Sequence, residues 1–347
     1  MTYTVDQPRA EVVLGKIWER YTSGQYPYAN AHKMLPQQFV PTKLPLGGAE
    51  EAWYWMVICL WMRGGVNSTD AAKQLSILYT HLATRRCLNP FIVKDAAKLK
   101  TKRIVELLTT VNLGMHQAAP AWIENARRLS EGWDGNVLNL YEGVTQFDTI
   151  AERLLQRNGD GFAGFQYKMV SMLTYFLTDA GLIKPFDFPP PVDFHLMRLP
   201  IATGILRRQD GNLLIACSAN EFEDVQSILR SVYLNYQVDH GLASTRFTDA
   251  LWIHSRSLCR FNPGNRTLQI GGYNARSTLQ QAYEPNWTNP TDIRAFEKSC
   301  GSCPVRAKCD ANVPAGPRYR LGKLEISGRR TEPPTQPLFS PYLPITN

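Results

Sequence analysis

The chain has 347 residues, and its 38 lysine and arginine residues against 30 aspartate and glutamate residues give a net charge of +8. Apolar residues make up 44 % of the chain and charged residues 20 %, which excludes a disordered or fibrous protein. The longest apolar run, Trp53 to Met62, is shorter than the about 20 residues of a membrane helix, so it predicts a buried helix. The first residues contain acids and no apolar core, so we expect no secretory signal there. We therefore expect a cytoplasmic protein that does not bind a membrane. Its surplus of positive charge permits an anionic binding partner.

Apolar periodicity predicts helices along most of the chain. The first covers residues 9–22, and further helices are expected at about 50–63, 71–82, 101–111, 119–130, 146–156, 167–179 and 222–235. Strand signals are scarce, and residues 268–272 are the clearest candidate. Prolines make Pro185 to Pro191 an irregular, stiff segment. The chain is therefore predicted to be mainly α, with an extended basic and proline-rich tail over 316–347.

Three segments carry residues suited to chemistry. The first is F-A-G-F-Q-Y-K at 162–168, directly before a helical run. A short loop that contains glycine and enters a helix presents backbone N–H groups, and these favour a phosphate. An ordinary turn between two helices explains the same residues.

The second segment is P-V-D-F-H-L-M-R at 191–198. Asp193 lies between apolar neighbours at the start of a new element, where aspartate is a common helix N-cap. A catalytic carboxylate is the alternative. His195 also has two interpretations, since it could be a metal ligand or could form a hydrogen bond with the local backbone.

The third segment contains three cysteines, Cys300, Cys303 and Cys309, with C-x2-C-x5-C spacing. The chain has seven cysteines in all, and an odd number without a secretory signal argues against a disulfide framework. One further thiolate, for which Cys259 is the candidate, would complete the four ligands of an iron–sulfur cluster. Zinc is the alternative, although structural zinc sites usually have two close pairs of cysteines.

In this order, the three segments resemble the helix-hairpin-helix DNA glycosylases of the endonuclease III superfamily. In that family the hairpin is close to L-P-G-V-G-R-K, the catalytic segment to V-D-T-H-V/I-x-R-V, and the cluster to C-x6-C-x2-C-x5-C. The segment L-W-I-H-S-R-S-L-C, which ends at Cys259, and the turn that begins at Gly114 are also similar to the family. The resemblance covers about residues 50–310.

The resemblance implies a mainly α, two-domain fold with a cleft between the domains. A six-helix barrel domain would cover residues 50–185 and end in the hairpin. Residues 1–49 and 186–315 would form a discontinuous iron–sulfur cluster domain, and 316–347 would be the tail. The partner would be double-stranded DNA, bound by a monomer that associates with the nucleoid in the cytoplasm.

The resemblance also assigns roles to residues. Asp193 would be the catalytic carboxylate and Lys168 the amine nucleophile of an AP-lyase step, with phosphate binding as the alternative for Lys168. DNA contacts would come from Gly164, Gln166, Tyr167, Met115, Arg63, Arg306 and Lys308, with Met115 as a wedge between bases. Cys259, Cys300, Cys303 and Cys309 would hold a [4Fe-4S] cluster.

Two departures from the family concern the hairpin and the cluster. Gln166 replaces the second glycine of the hairpin, and the first cluster interval has 40 residues in place of six. Closing a longer loop costs only about 0.6 kcal/mol per doubling of length, so ligation by Cys259 is still expected.

The resemblance implies a DNA N-glycosylase, to which Lys168 would add an AP-lyase activity if it acts as the nucleophile. Oxidised pyrimidines are the default substrates, but the segments 185–191 and 260–299 suggest a bulky modified base and a role in repair or antiviral defence. A non-catalytic iron–sulfur module that recognises modified DNA is one alternative, and a redox or radical enzyme is another.

Overall fold

A computed structural model describes residues 3–30, 35–62, 68–85, 87–114, 116–156, 160–209, 215–259, 269–270, 294, 298–309 and 324–327. This part of the chain is mainly helical, which confirms the predicted class. Among the described helices, none has both the length and the apolar character that a membrane span requires.

Eleven α-helices lie in the part of the chain that the structure describes. They are α1 (Gln7–Thr22), α2 (Ala49–Trp61), α3 (Ser68–Leu82), α4 (Val93–Ala96), α5 (Thr101–Thr110), α6 (Ala119–Gly132), α7 (Phe147–Leu154), α8 (Tyr167–Asp179), α9 (Phe194–Ala202), α10 (Ala219–Asp239) and α11 (Ser244–Ser257). The strands are β1 (Tyr3–Val5), β2 (Leu206–Arg208), β3 (Ile215–Ser218), β4 (Gln269–Ile270) and β5 (Leu324–Ser327).

The chain divides into two compact units. The first consists of Met1–His32 together with Val192–Glu332, and the described residues from Lys33 to Pro191 form the second.

The first unit joins the start of the chain to its C-terminal half. Strand β1 pairs antiparallel with β2, and Tyr3 lies opposite Arg208. Strand β5 pairs in parallel with both β3 and β4. The side chain of Asp6 caps α1 by accepting the backbone N–H of Arg9 at 3.0 Å. The hydroxyl of Tyr28 donates to the carbonyl of Ala250 in α11 at 3.1 Å, so the N-terminal segment packs on the helix that leads to Cys259.

The second unit is built around α2. Every residue from Trp53 to Met62 is at most 5 % exposed, which confirms the prediction that this apolar run is a buried helix. Because no face of the run is polar, the helix needs neighbours on all sides. The ring of Trp55 stacks on that of Phe176 in α8, with centroids 4.7 Å apart. The second unit therefore has one continuous apolar core to which α8, and with it the hairpin segment, is attached.

Candidate functional site

The hairpin segment forms a tight turn between α7 and α8. Gly164 has φ +86°, a left-handed conformation that glycine adopts without strain. The amide of Asn125 in α6 holds Ala163 on both sides, since its Nδ2 donates to the Ala163 carbonyl at 3.0 Å and its Oδ1 accepts the Ala163 N–H at 2.6 Å. The guanidinium of Arg128 donates to the carbonyl of Gly161. The turn is therefore fixed by α6.

The first turn of α8 begins directly after this hairpin. Gln166 is its N-cap residue with φ −119° and ψ 172°, and its side chain makes no capping bond. The helix contains no acidic residue in its first turn. Gln166 and Tyr167, which the sequence assigns to DNA binding, are thus placed at the positive end of a helix dipole, where an anion is favoured.

The side chain of Lys168 reaches from α8 to the end of α2. Its Nζ donates to the carbonyl of Met62 at 2.6 Å, a bond that caps the C-terminus of α2. Burial raises the pKa of the nearby Cys59 thiol, while the positive charge of Lys168 lowers it. Lys168 is itself half-buried, so its amine lies at the edge of the core rather than in bulk solvent.

Arg63 and Met115 lie outside the described residues. Their described neighbours are held together, because the indole N–H of Trp61 donates to the carbonyl of Gly114 at 3.0 Å. Gly114, directly before Met115, is therefore bonded to the last residue of α2, two positions before Arg63.

In the first unit, Asp193 caps α9. Its Oδ1 accepts the backbone N–H of Leu196 at 3.0 Å, and its carbonyl accepts the N–H of Met197 at 2.9 Å. This confirms the interpretation of Asp193 as an N-cap and leaves the catalytic role as a prediction. The side chains of His195 and Arg198 lie outside the described residues.

Two side chains of α10 hold the start of α9. The hydroxyl of Tyr233 donates to the carbonyl of Leu196 at 2.7 Å, and Nε2 of Gln226 donates to the carbonyl of Val192 at 2.9 Å. The pKa of Tyr233 is raised well above its ordinary value, mainly by burial and further by the charges of Cys259 and Asp193. Tyr233 therefore lies within electrostatic range of both the candidate catalytic carboxylate and a candidate cluster ligand.

The four candidate ligands line one small cavity at the other end of α9. Its lining consists of Leu199, Ala202, Thr203, Leu258, Cys259, Ser299, Cys300, Cys303, Val305 and Cys309. Of the six cysteines whose side chains are described, none forms a disulfide. The structure thus brings Cys259 to the three late cysteines despite the 40 residues between it and Cys300.

These thiols fit a cationic group. Burial, together with the charge of Cys300, raises the pKa of Cys303 to about 12. The hydrogen bond from the backbone N–H of Val305 and the positive charges of Arg20 and Arg306 act in the opposite direction and lower this pKa. A buried thiolate needs a positive partner. In the described part of the chain, no set of three or more His, Cys, Asp or Glu side chains is arranged to hold a single metal ion. The four thiols around the cavity are the donor set that a four-iron cluster requires.

His254 lies beside this cavity, and sequence analysis assigned it no role although the segment L-W-I-H-S-R-S-L-C contains it. Its Nε2 is 3.8 Å from Sγ of Cys303, and the residue is completely buried. Burial lowers its pKa to about 4. His254 shares a helix face with Phe247 and Leu251, at the i, i+4 and i+7 positions of an apolar stripe. A histidine on such a stripe, five residues before Cys259, is the signal that could have found it.

Arg306 and Lys308 are exposed on a short 3-10 turn (Arg306–Lys308) inside the cysteine loop. Successive backbone bonds form this loop, from the N–H of Cys303 to the carbonyl of Cys300 and from the N–H of Arg306 to that of Cys303, each at 3.2 Å. The two basic side chains are therefore presented by the same turns that place the cysteines.

Comparison with known proteins identifies no matching family model and no matching curated protein. Among solved structures, the chain is similar to a thermostable thymine-DNA glycosylase, with 12 % identity and a TM-score of 0.43 over 88 % of this chain and 97 % of that one. With a TM-score below 0.5, this similarity by itself assigns neither a fold nor a function to the chain.

Proposed function

We propose that the chain is a DNA N-glycosylase, which moves a damaged or modified base out of the duplex and breaks its bond to C1′. The observation that supports this most is the position of α9. The helix begins at Asp193, and Leu199 and Ala202 at its other end line the cavity of the four cysteines. The residues that the family resemblance pairs as catalyst and cluster ligands are thereby joined by one nine-residue helix.

Asp193 would act on the sugar. When the C1′–N bond breaks, its electron pair leaves with the base and positive charge develops on the sugar ring. A fixed carboxylate beside C1′ stabilises that charge, and the N–H of Leu196 holds the Asp193 carboxylate in one orientation. Asp193 could instead accept the proton of the attacking nucleophile, which is the second role open to it.

A lyase step would use Lys168. Its uncharged amine would attack C1′ as the base leaves with the electron pair of its bond. The C1′–O4′ bond would then break, with an amine proton passing to O4′, to give an imine. Loss of a proton from C2′ would follow, and the 3′ phosphate would leave as the C3′–O bond breaks. In the structure the Lys168 Nζ donates to the Met62 carbonyl, and this bond must be given up before the amine can attack. With water as the nucleophile no such change is needed.

Duplex DNA would be bound through its backbone. The hairpin residues Gly164, Gln166 and Tyr167 would contact a phosphate at the N-terminus of α8, and the exposed Arg306 and Lys308 would contact others. Arg63 and Met115 would enter the space left by the flipped base. We propose that the protein acts as a monomer in the cytoplasm, associated with the nucleoid through its DNA.

The cofactor would be a [4Fe-4S] cluster held by Cys259, Cys300, Cys303 and Cys309. Zinc, the alternative from the sequence, is less favoured, because no three such side chains in the described residues are arranged around a single ion. When bound, the cluster would supply a cross-link between the cysteine loop and α11. Because α9 lines the same cavity, that cross-link would also support the helix that carries Asp193.

The substrate would be a bulky modified base or an oxidised pyrimidine, in repair or in antiviral defence. Phe188 and the prolines Pro189 to Pro191 are buried, so the segment before Asp193 is fixed by packing as well as by proline rings. Such a segment can shape one side of a pocket without further ordering on binding.

A second candidate is a module that binds modified DNA without cutting it. One observation favours it, since the Asp193 carboxylate and the Lys168 amine both make bonds that stabilise helices. A measurement of base release distinguishes the two functions, because the glycosylase releases a base and the binding module does not.

The test is incubation of the purified chain with duplexes that contain damaged and modified bases, and detection of released bases by mass spectrometry. We expect release by the parent chain and loss of release in Asp193→Asn with DNA binding kept. Asparagine caps helices as well as aspartate does, so this variant removes the charge and leaves the cap. Asp6→Asn is the matched control, because Asp6 caps α1 with the same geometry at 3.0 Å.

Normal release by Asp193→Asn would remove Asp193 from the mechanism. Binding without release by the parent chain, across the whole panel, would favour the non-catalytic module.

A further inference from the structure

We infer that His254 donates a hydrogen bond from Nε2 to Sγ of Cys303 and thereby raises the reduction potential of the cluster that the cysteines hold. The inference rests on the proposed iron–sulfur cofactor. It assigns His254 as a positioning and tuning residue, which touches a ligand and not the iron itself.

The geometry around the imidazole supports this bond. The distance of 3.8 Å from Nε2 to Sγ of Cys303 is that of an N–H donor to a sulfur acceptor. The other ring nitrogen, Nδ1, is buried and has no partner in the described part of the chain. A neutral imidazole carries one N–H, and a proton on Nδ1 would be a buried donor without an acceptor, which is costly. The proton therefore belongs on Nε2, where the sulfur accepts it.

The neutral form of the ring follows from the same geometry, because a charged imidazole would carry a second N–H on the buried Nδ1, which has no partner in the described residues. His254 is completely buried in α11. The positively charged groups that act on Cys303 are Arg20 and Arg306, and the buried hydroxyl of Tyr28 lies within electrostatic range of Cys303 and Cys259. The imidazole thus contributes an N–H dipole directed at the sulfur.

His254 is not placed to replace a cysteine as a ligand. The cavity is lined by all four candidate thiols, and His254 is absent from its lining. Four thiolates complete a [4Fe-4S] cluster. A histidine behind a ligand, with its N–H directed at the ligand atom, acts as groups around metal ligands commonly do, by orienting the ligand and changing its electron density.

The expected consequence is electronic. Hydrogen bonds to the sulfurs are among the factors that set the potential of an iron–sulfur cluster. Reduction adds negative charge to the cluster and its thiolates, so an N–H donor stabilises the reduced state more than the oxidised state. The backbone N–H of Val305 also bonds to Cys303 and cannot be removed by substitution, whereas the His254 donor can.

The test uses the full chain with its cluster reconstituted under anaerobic conditions, and it measures iron per chain and the reduction potential by voltammetry. We expect His254→Leu, which removes the donor at similar volume, to lower the potential at unchanged iron content. His254→Gln places an amide N–H near the position of Nε2 and should recover most of the parent potential. His254→Asn, whose amide is one bond shorter, should not.

Ser255→Ala is the control, since Ser255 is the next buried polar residue on α11 and its hydroxyl has no partner in the described residues. This variant should keep the parent potential. Should His254→Leu fail to hold the cluster, the comparison of the Gln and Asn variants decides the question.

An unchanged potential in His254→Leu with a full cluster would overturn the role of His254, and so would equal potentials in the Gln and Asn variants. Either result would leave the proposed cofactor standing. A parent chain without iron would overturn the cofactor and the inference with it. Base release, measured on the same preparations, reports separately on the proposed enzyme.

Discussion

Lys168 Nζ lies 2.6 Å from the carbonyl oxygen of Met62, at the C-terminal end of the most deeply buried helix of its unit. The bond links Lys168, the last residue of the hairpin segment, to Met62, the C-cap residue of α2. A lysine in this position can stabilise a helix end, as cations near a C-terminus generally do, and it can act as a nucleophile only after it leaves the carbonyl. The two roles make different predictions.

Lys168→Gln tests the nucleophile role. The amide of glutamine can still donate to the Met62 carbonyl, so we expect little loss of stability. If Lys168 forms the imine, borohydride will trap the parent chain on DNA and will not trap the variant, while base release persists with water as nucleophile. Lys184→Gln, at an exposed lysine beyond α8, is the control and should be trapped like the parent. The absence of trapping in the parent would assign Lys168 to capping α2.

Gly161 is required at the base of the hairpin. Its φ is +79°, and a Cβ added there would lie 2.0 Å from the backbone carbonyl oxygen of Leu155. Gly181 has a similar φ of +68° with nothing within 4 Å of the same point. We expect Gly181→Ala to lower the free energy of unfolding by about 1 kcal/mol, from backbone strain alone, and Gly161→Ala by about 3 kcal/mol.

Urea unfolding of the two glycine variants measures this difference. Because the clash distorts the turn that would receive a phosphate, Gly161→Ala should also bind duplex DNA more weakly than Gly181→Ala. Equal destabilisation of the two variants would show that the carbonyl of Leu155 can move aside.

Much of the fold could be predicted because its signals are local. The apolar run Trp53 to Met62 could only be a buried helix, and the periodicity at 167–179 gave the observed bounds of α8, Tyr167–Asp179. The start of α9 was predicted from Asp193, because an aspartate before an apolar segment can cap with its own side chain. Pro200 lies inside α9 and weakens its helical pattern, so the rest of that helix was not predicted.

The relationships that define the site are long-range, and sequence patterns do not contain them. Lys168 bonds to a carbonyl 106 residues before it, and His254 approaches a cysteine 49 residues after it. Strands β1 and β2 have three residues each, too few for a period of two to be recognised. The cysteine spacing predicted that Cys300, Cys303 and Cys309 would meet, whereas Cys259 is separated from Cys300 by 40 residues and only the family resemblance supported its place beside them.

Arg306 and Lys308 are expected to bind DNA phosphates, and salt dependence measures this directly. Each lost phosphate contact should make the slope of log K against log salt shallower by about 1. We expect a change of about 1 for Arg306→Gln or Lys308→Gln and about 2 for the double variant, measured by fluorescence anisotropy on an unmodified duplex. Lys16→Gln, an exposed lysine on α1, is the control. A double variant with the slope of Lys16→Gln would exclude both residues from the DNA interface.

The cysteine cavity and Asp193 are expected to be coupled through α9. Cys300→Ser should lose iron, and because Leu199 and Ala202 line the cavity, the amide protons of α9 should exchange faster with solvent. Base release should fall even though Asp193 is unchanged. Cys87→Ser, at an exposed cysteine, is the control and should keep iron, exchange rates and activity. Iron analysis, hydrogen exchange and base release on the same samples measure the three effects. Loss of iron with normal exchange in α9 and normal base release would show that the cysteine site does not support Asp193.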